Sequence, residues 1–201
     1  MKKLQILGIV FLLLLMLGCA SQTRTITRTS SQEVTDYSGN WNDTDARLVA
    51  EQMIKDMISR SWITDYILEN DHKPVVIVGN VRNKSSEHID SEIFVKDIER
   101  ELINSGKVKF VATSNERKEI LAERYHQQSY ASEETAKSIA QETGADFVLI
   151  GSIKSTMDAI SGKAAKFYQI DMELINIESN EKVWIGQKEI KKLISQSKTK
   201  W

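Results

Sequence analysis

The residues able to do chemistry in this 201-residue chain are few and scattered. There is one thiol, Cys19, and three imidazoles, His72, His88 and His126. The histidines lie far apart in polar surroundings. No His-x-x-x-His or His/Cys cluster supplies the spacing of a metal site, so no metal ligands are expected. Gly79-Asn80-Val81-Arg82-Asn83-Lys84-Ser85 follows an apolar strand, as a phosphate-cradling loop would. Such a loop needs four residues between its glycines and a second Gly before Lys, so that backbone amides wrap the phosphates. This one is a residue short and has Asn83 at that place. It reads instead as an exposed polar loop over residues 82–90, with Arg82, Lys84 and His88 as candidate partner contacts. The serines have no Gly-x-Ser-x-Gly setting. Glu133-Glu134 and the other carboxylates have the pattern of solvated helix surfaces and N-terminal turns. No catalytic residue and no cofactor are expected, and the chain reads as a non-enzyme.

Cys19 stands apart because of what precedes it. Met1-Lys2-Lys3 is basic, and Leu4 to Leu17 is an almost unbroken apolar run of fourteen residues. Spanning a bilayer takes about 20, so the run reads as an export signal. Cys19 follows directly behind Met16-Leu17-Gly18, which resembles the lipobox of bacterial lipoproteins, with Met16 where Leu is preferred. The resemblance implies a diacylglyceryl thioether on Cys19, cleavage just before it, and acylation of the new amine. Three acyl chains exceed the two signals that stable membrane anchoring requires. Ala20 and Ser21 follow, without the Asp that favours inner-membrane retention. The implied location is therefore the outer membrane, facing the periplasm. Residues 1–18 are then a signal peptide.

These features need elements to carry them. Charged residues make up 27% and hydrophobic residues 41%, enough for one globular core. The formal charge of −1 falls to −3 once Lys2 and Lys3 are removed, which argues against nucleic acid as a partner. Residues 19–39 hold the lipidated Cys and a Ser/Thr-rich stretch with little to bury, a flexible tether. About 20 such residues reach at most ~70 Å. From residue 40 the pattern becomes globular. Asn42 to Arg60 places Val49, Met53 and Met57 on one helical face, Asn42 or Thr44 can cap its start, and Trp62 to Leu68 continues it until Pro74. Val75 to Val78 is a buried strand, Ser91 to Asn104 a helix stopped by Gly106, and Val108 to Ala112 a second strand. This unit predicts a parallel crossover. Two helices follow, Asn115 to Gln128 and Ser132 to Thr143. Asp146 to Ile153 is a third strand. Phe167 to Asn176 alternates, with Tyr168, Ile170, Met172 and Leu174 on one face. Lys182 to Ile190 returns as the last strand, the domain ends near residue 192, and residues 193–201 form a frayed basic tail. The fold expected is α+β, a mixed sheet of about five strands packed with helices.

The stretches SGNWNDTDARLVAEQMI, PVVIVGNVRNKSSEHID, INSGKV, GADFVLIGSI and YQIDMELINIESNEKVWIGQKEI occur in one order over Ser38 to Ile190. Together they resemble LpoB-type penicillin-binding protein activators. The resemblance implies a fold like the N-terminal domain of TolB. It also implies an outer-membrane lipoprotein, anchored through lipid on Cys19, whose domain, expected as a monomer, binds a bifunctional class A penicillin-binding protein and regulates peptidoglycan synthesis. Enterobacterial members have a longer, Pro-rich tether, whereas this one has no Pro. The alternative is a subunit of a CsgG-like oligomeric outer-membrane secretion assembly. That would require lipid-facing strand segments, for which Lys154 to Tyr168 is the candidate stretch.

Overall fold

The computed structural model describes residues 25–112, 116–121, 123 and 144–195. The expected signal peptide, Cys19, the first residues of the expected tether, His126 and most of the two helices expected between 115 and 143 lie outside these. Of those helices, 116–121 is helical. Met1–Glu33 and Val34–Trp201 are separate units, and the domain belongs to the second.

The domain begins with helix α1, Asp43–Met57. Of the two candidate caps, Asn42 is the one used, and it forms a capping box with Asp45. Val49, Met53 and Met57, one turn apart, are all buried. Helix α2, Trp62–Asn70, ends at Asp71 in the left-handed region. Strand β1, Val75–Asn83, leads through a loop to helix α3, Ser91–Ser105, capped by Asp90 and stopped by Gly106 at φ 63°. Strand β2 is only Lys109–Phe110, shorter than Val108 to Ala112. Three long strands complete the fold: β3, Phe147–Ile160; β4, Lys163–Asn176; and β5, Lys182–Ser195.

The sheet order is β2-β1-β3-β4-β5. The first three strands are parallel, and β3-β4-β5 is an antiparallel meander. This is the mixed five-stranded α+β sheet that the pattern predicts. Helices α1 and α3 pack together beneath it and bury Phe94, Ile98, Leu102, Leu149, Ile153, Ile170, Met172 and Leu174. Trp62 and Trp184 belong to this core, and Trp41 sits edge-on to Phe94 and Tyr168.

Strands β1, β3, β4 and β5 also extend beyond the boundaries expected, each for a pairing reason. The register of β1 against β3 shifts between Val78 and Val81, and pairing then resumes through Arg82↔Ser152 and Asn83↔Ile153. Arg82 is therefore a strand residue, not a loop residue. Lys154 to Tyr168 pairs within one hairpin, Ile160 opposite Lys163, and both of its strands belong to the sheet. β5 runs past Ile190 because Lys191, Lys192, Leu193, Ile194 and Ser195 each have a partner on β4. Residues 193–195 are thus strand and not frayed tail, while 196–201 lie outside the described residues.

Candidate functional site

The loop from Lys84 to Asp90 connects β1 to α3 and is held at both ends and in the middle. The β1–β3 ladder continues into it, with the Lys84 N–H donating to Ile153 O at 2.7 Å. The Asn83 side chain organises the turn. Its Oδ1 accepts from the Ser85 N–H and hydroxyl (2.9 and 2.7 Å), and its Nδ2 donates to Glu87 O at 2.8 Å. Ile89 is buried, and Asp90 caps α3.

Glu87 is the middle pin. Its carboxylate accepts from the Tyr168 hydroxyl at 2.7 and 2.9 Å, from the Trp41 N–H at 3.1 Å, and pairs with Lys166 at 2.8 Å. Burial alone would push its carboxyl up, but Lys166, Tyr168 and the Trp41 amide outweigh burial and hold it below the usual glutamate range. Tyr168 is fully buried because it occupies an inward position of β4. Burial, and then the Glu87 carboxylate, push its hydroxyl well above the ordinary tyrosine value.

A second cation extends the network. Lys192 lies opposite Lys166 across β4 and β5 and is nearly as buried. Its ammonium reaches Asp45 at 2.6 Å, Asp36 at 3.0 Å and Asn40 O at 2.9 Å. Lys166 donates to the Asn40 side chain, and Gly39 O lies 3.3 Å from the Tyr168 hydroxyl oxygen. Burial pushes the Asp45 carboxyl up, and Lys192 offsets this only in part. Residues 36–41, which the sequence assigns mainly to the tether, therefore lie against the sheet, tied to it by two buried lysines. A buried charge left without a partner is strongly unfavourable, so the lysines and carboxylates hold one another in place.

The chemistry of this site is attachment. Its titratable groups pair with one another or with main chain. Among the described residues, no group of His, Cys, Asp and Glu could hold a metal ion. What the network does is stiffen a loop with charged ends. Arg82 and Lys84 are exposed and line one shallow groove of about 240 Å³, on the sheet face opposite α1 and α3, with Asn80, Ile150, Ser152, Asp171 and Glu173. His88 is exposed and does not line that groove. The sequence-derived trio thus divides into a pair and a separate histidine. His72 makes a local contact to Lys73 O and an edge-on contact with Tyr66.

Sequence reasoning missed Glu87, Lys166 and Lys192. A signal for the lysines exists: both fall on the inward alternation, Lys166 in phase with Tyr168 and Ile170, and Lys192 in phase with Trp184, Gly186 and Ile190. A lysine at a core-facing position must find a buried acceptor. Glu87 has no such signal, since its partners are 46 and 81 residues away.

A family model described as the peptidoglycan-synthase activator LpoB matches residues 45–190, from the first turn of α1 to the middle of β5. Solved structures similar to this chain include the LpoB C-terminal domain from Salmonella enterica, at 18% identity and a TM-score of 0.45, covering 73% of this chain and 98% of that one. The LpoB C-terminal domain from Escherichia coli matches at 18% identity and a TM-score of 0.46, with the same coverage. Lipoprotein GNA1162 from Neisseria meningitidis matches at 11% identity and a TM-score of 0.39, covering 63% of this chain and 88% of that one. No curated protein matches the chain.

Proposed function

The chain belongs to the LpoB family of peptidoglycan-synthase activators, whose members regulate and do not catalyse, and from that premise we propose that it is a lipoprotein anchored in the outer membrane through Cys19 that binds a bifunctional class A penicillin-binding protein and raises its activity. The observation that carries the reading is the extent of the family match, which spans the helix pair and nearly all of the sheet.

An activator without chemistry of its own works through differential affinity. It must bind the active conformation of the synthase more tightly than the inactive one, and it shifts the equilibrium only by that ratio. A stiff contact surface serves this end, because a loop already ordered in the free protein loses little entropy on binding. The loop pinned by Asn83 and Glu87 has that character, and the contact residues we assign are Lys84 and His88 on it and Arg82 at the adjoining end of β1. The lipid sets the reach: with Asp36 already held by Lys192, about 16 residues after Cys19 place the domain no more than ~60 Å from the membrane surface.

The test is cross-linking and pull-down of the chain from its own envelope, done in parallel with Cys19→Ala. The reading predicts a bifunctional penicillin-binding protein in the wild-type eluate, and loss of both palmitate labelling and membrane association in the variant. Persistent labelling of Cys19→Ala contradicts the anchor. Absence of the synthase after cross-linking contradicts the partner.

A further inference from the structure

We infer that the groove beside the end of β1 is a receptor for a carboxylate side chain on an extended acidic segment of the protein partner, with Arg82 and Lys84 as its cationic wall; this rests on the activator reading for the partner's identity, but not for the groove's chemistry. The floor of the groove holds two carboxylates, Asp171 and Glu173, and each already has its own cation. Lys154 pairs with Asp171 and Lys182 with Glu173, both at 2.8 Å. The Gln169 amide also donates to Asp171 at 2.8 Å. Burial raises the Asp171 carboxyl, but Lys154 and Gln169, with a lesser contribution from Lys84, hold it below the usual range, so it stays ionised and satisfied.

Arg82 and Lys84 are left over. Both line the groove, both are exposed, and neither forms an ion pair among the described residues. The register shift between Val78 and Val81 is what turns Arg82 to this face, opposite Ser152. The ladder bond from the Lys84 N–H to Ile153 O then holds the next cation two residues on. Two cations fixed on a strand end, above a floor whose own acids are neutralised, present net positive charge with donors aimed outward. A guanidinium takes a carboxylate in two-point fashion, and the neighbouring ammonium adds attraction. Ser152 and Asn80 supply polar lining. Ile150 gives the groove one apolar wall, suited to the stem of an aspartate or glutamate.

Two measurements test this, and they fail separately. In the first, the full chain is titrated with an acetylated hexapeptide rich in glutamate and with its glutamine counterpart, followed by amide NMR. Saturable shifts clustered at Arg82, Lys84, Ser152 and Asp171, seen only with the glutamate peptide and absent in the Arg82→Glu/Lys84→Glu double variant, are expected. Shifts that are absent, or equal for the two peptides, overturn the proposal. The second measures affinity for the bifunctional synthase of the same envelope. The double variant should bind about tenfold more weakly or worse, with a shallower salt dependence, while Lys55→Glu on α1 stays within twofold. Unchanged affinity of a folded double variant overturns the groove as the contact even if the wild type binds well. If the wild type does not bind the synthase, the activator reading fails, and the peptide titration still decides the groove.

Discussion

The hydroxyl of Tyr168 donates to both oxygens of Glu87, at 2.7 and 2.9 Å, across 81 residues of sequence. The bond joins the middle of β4 to the middle of the loop that carries Lys84 and His88. Because Glu87 also accepts from the Trp41 amide, one carboxylate ties the 84–90 loop, the sheet and the entry of the chain into the domain. Tyr168→Phe removes the donor and leaves a part-buried carboxylate short of a partner. The expected cost is about 1–3 kcal/mol in denaturant unfolding. Glu87→Gln should show coupling to it in a double-mutant cycle, since the two share one network. Additive effects would mean that the bond does not hold the loop.

Lys192 is the stricter case. Lys192→Met strands Asp45 and Asp36 beside a buried, uncharged side chain, and should cost about 3–5 kcal/mol. Adding Asp45→Asn should recover part of that loss by removing the orphaned charge, although it weakens the α1 capping box. Thermal unfolding of the single and double variants gives the comparison. No recovery in the double variant would place the role of Lys192 in packing and not in charge.

Residues 42, 49, 53 and 57 show how much of this fold was legible in advance: a capping side chain followed by apolar positions one turn apart. The same holds for the alternation of β4, where Tyr168, Ile170, Met172 and Leu174 all face inward. The ends of strands were not legible, because pairing and not composition determines them. The apolar run stops at Val78, yet β1 continues to Asn83 through a register shift that no local pattern announces. The last turn of the alternation in β5 is hidden because its inward residue is a lysine. Of the site, the exposed cations were visible as a charged loop, but the network that holds them depends on contacts between residues 36–45, 87, 166 and 192, which only the tertiary fold brings together.

Gly186 offers an independent check on the β5–α1 contact. It is buried opposite Met172, and a Cβ there would overlap the ring of Trp184. The Trp184 indole N–H donates to Asp56 on α1 at 2.9 Å, the bond chiefly responsible for holding that carboxyl below the usual aspartate range. Gly186→Ala should displace the ring, break this bond and cost about 1–3 kcal/mol. The tryptophan emission should shift to the red as the indole moves toward solvent. An unchanged spectrum and midpoint would show that β5 absorbs the methyl without moving Trp184.

Acid stability follows from Glu87. Its carboxyl is held below the ordinary value of 4.5, so its contribution is present above that pH and is lost as the pH falls through the lower folded value. Asp45 acts in the opposite sense, its folded value being raised, but it is common to wild type and to Glu87→Gln. The difference in stability between these two proteins should therefore shrink as the pH falls from about 5 to 3, while Asp45 cancels. A difference that stays constant over that range would contradict the ionised Glu87 on which the loop's fixation depends.

The central claim is activation of a cell-wall synthase by a tethered, non-catalytic domain. Its most direct measurement is the rate of glycan-strand formation by the purified bifunctional penicillin-binding protein of the same envelope, with and without the folded chain. The account predicts a several-fold, saturable rise in rate that the chain alone cannot produce. A rate unchanged at a concentration of folded chain well above that of the synthase would contradict it.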